Sequence, residues 1–186
     1  PPGCGRRTAG RRGRRGPHNS KTSALNRMKP DSEFSDLIGL VYEAPFEERP
    51  WAGFLGALRH AMGAVATTLV LRPAQTDRAG LILTEGGSSE GIALYREGLF
   101  MADPFVALPP RTVVALHEIM PLAELEQTEL YKLCMAPGGL HDSLGADIDV
   151  DGVIEARLRV ARTRGAHPFG KREKQLCELL LPHLER

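Results

Sequence analysis

Three short constellations in this chain combine residue types that do chemistry with spacings that chemistry uses. Gly87-Ser88-Ser89-Glu90-Gly91 fits Gly-x-Ser-x-Gly, the turn in which a serine hydrolase exposes its nucleophile between a strand and a helix. Ser89 would attack, activated by a later Asp and His; Asp103 or Asp142 and His141 or His167 are available. Asp147-Ile-Asp149-Val-Asp151-Gly152 copies the first half of a calcium loop. Tyr95 and Asp103 stand near the end of an apolar helix pattern that breaks at Asp103-Pro104. A hydroxyl and a carboxylate so placed supply the few polar groups of a mostly apolar ligand pocket. The plainer reading is that Tyr95, Leu99 and Phe100 belong to the core and that Asp103 caps the segment after Pro104.

The elements around these residues decide between chemistry and scaffold. A calcium loop needs a bidentate Glu at its twelfth position, which here is Leu158. It also needs a helix afterwards, whereas Ile154, Ala156, Leu158 and Val160 alternate with Glu155, Arg157 and Arg159. That period of two, with Asp151-Gly152 before it, predicts a β-hairpin of Ser143–Val150 and Val153–Thr163 with a type I′ turn. Its polar residues are expected on a solvated face. A hydrolase elbow follows several parallel strands, but only two strand patterns precede Ser89, Ala66–Leu71 and Ala79–Thr84, and their short connection makes them antiparallel. Gly and Ser at a strand-to-helix turn are in any case what an N-cap requires, so Ser88 and Ser89 are read as capping a helix through about Met101. No catalytic residue, metal site or cofactor is expected.

Elsewhere, Phe34, Leu37, Ile38 and Val41 predict a first helix over about Ser35–Glu43. Pro50 suits the first turn of a second helix with the face Trp51, Phe54, Leu55, Leu58 and Met62. Thr112–Leu116 reads as a third strand and Leu122–Leu133 as a helix ended by Pro137-Gly138-Gly139. A last helix runs to Arg186 without a Gly cap, the kind of ending that passes to a partner or a further domain. The order α-α-β-β-α-β-α-β-β-α gives an α+β domain: a five-stranded antiparallel sheet flanked by helices, as in PAS-like or GAF-like sensor folds.

Charge divides the chain into two parts. Residues 1–30 hold nine basic residues and no acidic one. Removing those nine from the total of 24 leaves 15 basic against 23 acidic residues, so residues 31–186 carry −8 although the whole chain is +1. The Gly-, Arg- and Pro-rich tail has too few apolar residues to fold. Its functional reading is a nucleic-acid arm; the favoured one is an upstream translated stretch or expression remnant, with Met28 the natural start. No apolar run approaches the roughly 20 residues of a membrane span. The three cysteines, Cys4, Cys134 and Cys177, are far apart, which fits neither a disulfide framework nor a zinc pattern and points to a reduced, cytoplasmic protein.

The Tyr95–Val106 segment resembles the Tyr…Asp-Pro-Val stretch in the signal-binding domains of LuxR-type transcription regulators. Ala136-Pro-Gly-Gly-Leu-His-Asp, the hairpin, and Phe169…Leu-Cys-Glu-Leu-Leu-Leu-Pro-His-Leu resemble a subgroup of these regulators with PAS-like sensor halves. The resemblance spans about Glu33–Arg186. It implies a sensor that places Tyr95, Leu99, Phe100, Asp103 and Phe105 around a small apolar signal molecule. In quorum-sensing members the Tyr and Asp hydrogen-bond an acyl-homoserine lactone. The Trp those members carry shortly before the Tyr has no counterpart, since Trp51 is two elements earlier, and their second aromatic position is Leu99 or Phe100. A small-ligand sensor is therefore the implication, rather than a lactone receptor. The family also places a helix-turn-helix domain after the sensor, so DNA contact is expected only through a C-terminal domain absent from this polypeptide. The alternatives in other classes are the Ser89 hydrolase and a ligand-free dimerisation module.

The last helix adds a partner. Leu176, Leu180 and Leu184 form one stripe, and Cys177, Leu181 and Leu184 an adjoining one. That width exceeds what covering one sheet needs, so Leu176, Cys177, Leu180, Leu181 and Leu184 are expected at a homodimer interface.

Overall fold

In a computed structural model, which describes residues 30–74, 80–105, 108–109 and 111–186, β-branched and apolar runs pair into one sheet and the helical patterns cover both its faces. Helix α1 (Pro30–Glu43) and α2 (Ala52–Ala61) precede β1 (Ala66–Pro73) and β2 (Leu81–Gly86). Helix α3 (Ser89–Glu97), β3 (Val113–Ala115) and the short helices α4 (Leu116–Ile119) and α5 (Leu122–Leu125) follow. A π-helical segment (Leu130–Met135), β4 (Leu140–Val150), β5 (Ile154–Thr163) and α6 (Lys171–Leu184) complete the chain. The readings of residues 1–29, Ala79, Val106 and Pro110 lie outside the described residues.

The sheet order is β2-β1-β5-β4-β3 and every pairing is antiparallel. The expected α+β architecture is the observed one. The β4–β5 hairpin turns at Asp151 and Gly152, both at positive φ (53° and 67°) as a type I′ turn requires. The Val153 N–H donates to Val150 O at 3.0 Å, and Asp149 Oδ1 accepts from the Gly152 N–H at 2.9 Å. Asp149 thus serves the turn, and among the described residues no group of three or more His, Cys, Asp or Glu side chains is placed to hold a metal ion. No described helix is long and apolar enough to cross a membrane.

Period-two alternation splits the strands between two environments. Leu69, Leu144, Ala146, Ile148, Ala156, Leu158 and Val160 face α1, α2 and α6 and build the main core with Leu37, Val41, Phe54, Leu55 and Leu58. Thr67 ties β1 to α2, its hydroxyl donating to Leu55 O at 2.8 Å. Cys177, Leu180, Leu181 and Leu184 all lie in this core, at 1%, 0%, 1% and 9% exposure. The stripe assigned to a dimer interface is therefore closed within the chain: α6 packs on α1, β3 and β4 together, and three neighbours need a wider apolar face than one sheet. Leu176 is partly buried against the same core, and on this helix Leu179 is the exposed leucine, at 55%.

Two helical expectations are corrected by local hydrogen bonding. The expected Leu122–Leu133 helix is interrupted because the Thr128 hydroxyl donates to Leu125 O at 2.7 Å and accepts from the Tyr131 N–H at 3.1 Å. This ends one segment and caps the next. At the second helix, Trp51 takes a left-handed conformation (φ 68°) and donates its N–H to Ala44 O, which leaves Pro50 outside the helix.

Candidate functional site

The site lies on the other face of the sheet, and the turn that looked like a nucleophile elbow is one of its walls. Ser88 takes extended dihedrals and its Oγ accepts from the Gly91 N–H at 3.1 Å, so it is the N-cap of α3. Ser89 follows as the first helical residue, is exposed, and has no hydrogen bond to a histidine among the described residues. Helix α3 ends at Glu97 rather than near Met101, and a 3₁₀ turn (Leu99–Ala102) carries the chain to Asp103.

Between sheet and α3 is a cavity of about 90 Å³. Ala66 and Thr68 of β1, Thr84 of β2, Ser143 of β4 and Arg159 and Ala161 of β5 form its sheet side. Gly91, Ile92 and Tyr95 of α3, Pro104, Phe105, Leu116 and the π-helical Leu130, Cys134 and Met135 form the opposite side. Of the predicted ligand residues, Tyr95, Asp103 and Phe105 line this cavity. Leu99 and Phe100 do not. The tight 3₁₀ turn swings Phe100 to a separate cluster with Val70 and Ile82, and Leu99 to an outer groove beside Leu133.

Asp103 is 4% exposed and holds the polar end together. Its Oδ2 accepts from Tyr95 Oη at 3.0 Å and from Arg159 Nε at 2.7 Å, while Oδ1 accepts from the Phe105 N–H at 2.9 Å. Asp103 thus closes the turn after Pro104 through one oxygen and accepts from the tyrosine through the other. Phe105 can lie flat on β4 because residue 145 is glycine. A Cβ there would come within 2.5 Å of the ring.

The polar face of the hairpin was expected in solvent; this holds for Asp149 but not for Arg157 and Arg159. Arg157 and Arg159 are 7% and 8% exposed, and Arg159 lies under the Asp103–Phe105 segment. Arg159 donates through Nη1 to Ala146 O (3.1 Å) and Leu158 O (3.0 Å), and its Cζ lies 5.0 Å from the Phe105 ring centre. Its Nη2 is 2.9 Å from Asp147 Oδ1. That contact is close enough for an ion pair but too poorly aligned for a hydrogen bond, so both atoms are buried without one. The available signal was the alternation of Asp147 and Asp149 opposite Glu155, Arg157 and Arg159, a concentration of complementary charge on one hairpin face. The link to Asp103, 56 residues away, left no trace in spacing.

Burial sets the electrostatics of this group. It pushes the Tyr95 hydroxyl well above its ordinary pKa, with Asp103 adding to the effect. It also raises the Asp147 carboxyl, against the opposing pull of Arg159. For Arg159 burial works against the charge, but Asp103 and Asp147 outweigh it and hold the guanidinium above its usual value. Tyr95 is thus a hydroxyl donor and Arg159 a permanent cation. Cys134, beside them, donates Sγ–H to Gly91 O at 3.3 Å, and burial raises its pKa. A raised thiol is a poor nucleophile.

No protein-family model matches this chain, and no curated protein sequence matches it. Solved structures do. The LBD domain of VqsR from Pseudomonas aeruginosa superposes with a TM-score of 0.57 at 22% identity, covering 80% of this chain and 90% of that one. CepR2 from Burkholderia cenocepacia, an N-acylhomoserine lactone-dependent LuxR family transcription factor, gives 0.57 at 18% identity over 82% of this chain and 88% of its own. The GAF domain of a phosphoenolpyruvate-protein phosphotransferase from Coxiella burnetii gives 0.52 at 19% identity over 84% and 93%. The chain therefore has the fold shared by the ligand-binding domains of LuxR-family regulators and by GAF domains, with its cavity between sheet and α3.

Proposed function

We propose that this chain is the signal-sensing domain of a LuxR-type transcription regulator, cytoplasmic and non-enzymatic, with a small amphiphilic molecule as its signal. The observation that carries the reading is the meeting of Tyr95 and Asp103, 3.0 Å apart, in the wall of a mostly apolar cavity. Few polar groups at one end of an apolar enclosure fix a ligand's orientation while its body is desolvated. Ser89, outside that cavity and exposed, offers no competing chemistry.

At about 90 Å³ the cavity has the volume of about three waters, less than the roughly 150 Å³ that admits benzene. A ligand longer than a few atoms extends through the open side of the cavity or parts the α3–Phe105 layer from the sheet, and that displacement is the signal in this reading. We place homodimerisation within the same proposal, by the outer side of α6 where Leu179 is exposed, since the buried stripe is closed to a partner. Light scattering on Leu179→Glu against wild type checks that part: a dimer lost in the variant supports it, and a wild-type monomer at tens of micromolar ends it.

The sensing itself is tested by denaturing the purified chain and identifying small molecules released, by mass spectrometry, beside an Ala161→Leu variant that fills the cavity. A compound released by wild type and missing from the folded variant is the expected result. Equal release from both proteins would end the sensor reading.

A further inference from the structure

We propose that the outer groove between the Leu99–Ala102 turn and the π-helical segment is a docking surface for a basic amphipathic helix of a partner protein. The groove has a volume of about 520 Å³ and is made by the same segments that wall the cavity. Two irregular turns shape it. Gly98 ends α3, and the 3₁₀ turn after it leaves Met101 50% exposed beside Leu99. The π-helical turn is closed by the Ala136 N–H, which donates to Tyr131 O at 2.8 Å. Its Leu130, Cys134 and Met135 line the cavity, while Leu133 lines the groove and is 48% exposed. Leucine and methionine side chains gathered in water are what the apolar face of a partner covers.

Charge decides which kind of partner. The charged residues lining the groove are Glu97 and Glu129, both exposed, and neither has an ion-pair partner among the described residues. The cations next to them serve elsewhere: Arg96 donates to Ile82 O at 2.8 Å, and Lys132 donates to Gln127 O at 2.7 Å. The groove therefore keeps two unopposed carboxylates, on a body whose residues 31–186 carry −8. A basic partner is drawn to this surface and an acidic one is repelled. The walls are helical and offer no strand edge to extend. The fitting mode is a helix in a groove, with leucine-sized anchors at i, i+3, i+4 and i+7 and Lys or Arg beside them. A partner held there does not need the cavity to be filled.

The test titrates two end-blocked helical peptides into the whole chain, with leucine and methionine methyl groups labelled for NMR. Both peptides carry leucine at i, i+3, i+4 and i+7; one has lysine and the other glutamate at the remaining positions. The lysine peptide is expected to shift the methyl resonances of Leu99, Met101 and Leu133. It should saturate at a concentration about tenfold below the glutamate peptide, since two exposed ion pairs form with one and two repulsions with the other. Glu97→Lys combined with Glu129→Lys should reverse that order. Should this variant not fold, the ranking and the position of the shifts on wild type decide alone. Equal saturation by both peptides, an order unchanged in the double variant, shifts confined to residues outside the groove, or no binding would each overturn the proposal. So would movement of the groove resonances without any peptide. On dilution it would make a second copy the occupant. On replacing Arg11→Ala, Arg12→Ala, Arg14→Ala and Arg15→Ala together, it would make the chain's own basic segment the occupant.

Discussion

The two faces of the sheet are made by alternate residues of the same strands, yet they are closed by different physics. Toward α1, α2 and α6, β5 offers Ala156, Leu158 and Val160, and the closing groups are leucines, Phe54 and Cys177. Toward α3 it offers Arg157, Arg159 and Ala161, and Arg159 meets carboxylates, a phenol and a cavity. A core filled by leucine needs no partner and gains by excluding everything. A layer held by one arginine on Asp103 keeps its cohesion only while each charge is matched, and it leaves space beside that match. The contrast is that the α3 side holds its buried ion pairs beside a cavity, whereas the opposite side is filled by apolar side chains.

The sharpest way to break this contrast is to unmatch the charge. Asp103→Ala leaves Arg159 buried beside a single misaligned partner and is expected to cost about 3–5 kcal/mol in urea unfolding. Asp103→Leu combined with Arg159→Met should recover part of that loss, since apolar groups replace that pair with little penalty while Asp147 is left without its cation. Leu180→Ala on the other face should cost about 2–5 kcal/mol through the void it leaves, and no second polar change should restore it. If the double variant proved as unstable as Asp103→Ala, matched charge would not be what holds the α3 layer. A smaller effect belongs to the cavity wall: Ser88→Ala removes the α3 N-cap, about 1 kcal/mol of stability, with the main core undisturbed.

Acidity separates the faces further. The Asp147 pKa is raised in the fold by burial, so the native state binds the proton more readily than the unfolded chain. Its contribution to stability is present below the unfolded carboxylate value of about 3.9 and is lost as pH rises through the raised folded value. Urea midpoints of Asp147→Asn relative to wild type should therefore increase from pH 4 to pH 7, and a constant difference would remove Asp147 from the polar layer. The smallest expected effect is kinetic. Cys134 opens on the cavity, whereas Cys177 sits in the leucine core with its thiol pushed up to about 12. Iodoacetamide should modify Cys134 before Cys177 in the native protein, as peptide mapping would show; equal rates would mean that both faces open together.

Much of this architecture was readable in the chain, because periodicity and turn chemistry act locally. Asp151-Gly152 between alternating runs fixed the hairpin, and the same alternation excluded a calcium loop ending at Leu158. The face of Phe54, Leu55, Leu58 and Met62 is buried as its spacing required. What alternation cannot convey is what covers a face. The Asp and Arg residues of β4 and β5 read as solvated because nothing nearby in sequence announces α3 above them. Equally, the double stripe of α6 looked too wide for one sheet because its contacts with α1 and β3 are long-range. The pair Tyr95 and Asp103 was legible from their positions around the helix break. Their neighbours Leu99 and Phe100 lie off the cavity wall because the helix gives way to a 3₁₀ turn after Gly98, although both still pack in clusters that Tyr95 adjoins.

One residue beyond the cavity, Arg162 leaves the sheet on the core side and gathers the carbonyls of Met62, His167 and Pro168 together with Glu173 near the start of α6, its Cζ 4.1 Å from the Phe169 ring centre. The end of β5, the end of α2 and the beginning of α6 are thereby riveted at a single guanidinium. Fraying of α6 from its N-terminal end would strand that charge in a dry environment, so this helix does not peel away on its own. Amide protons of α6 and of β5 should accordingly exchange with a common free energy, as parts of one cooperative unit.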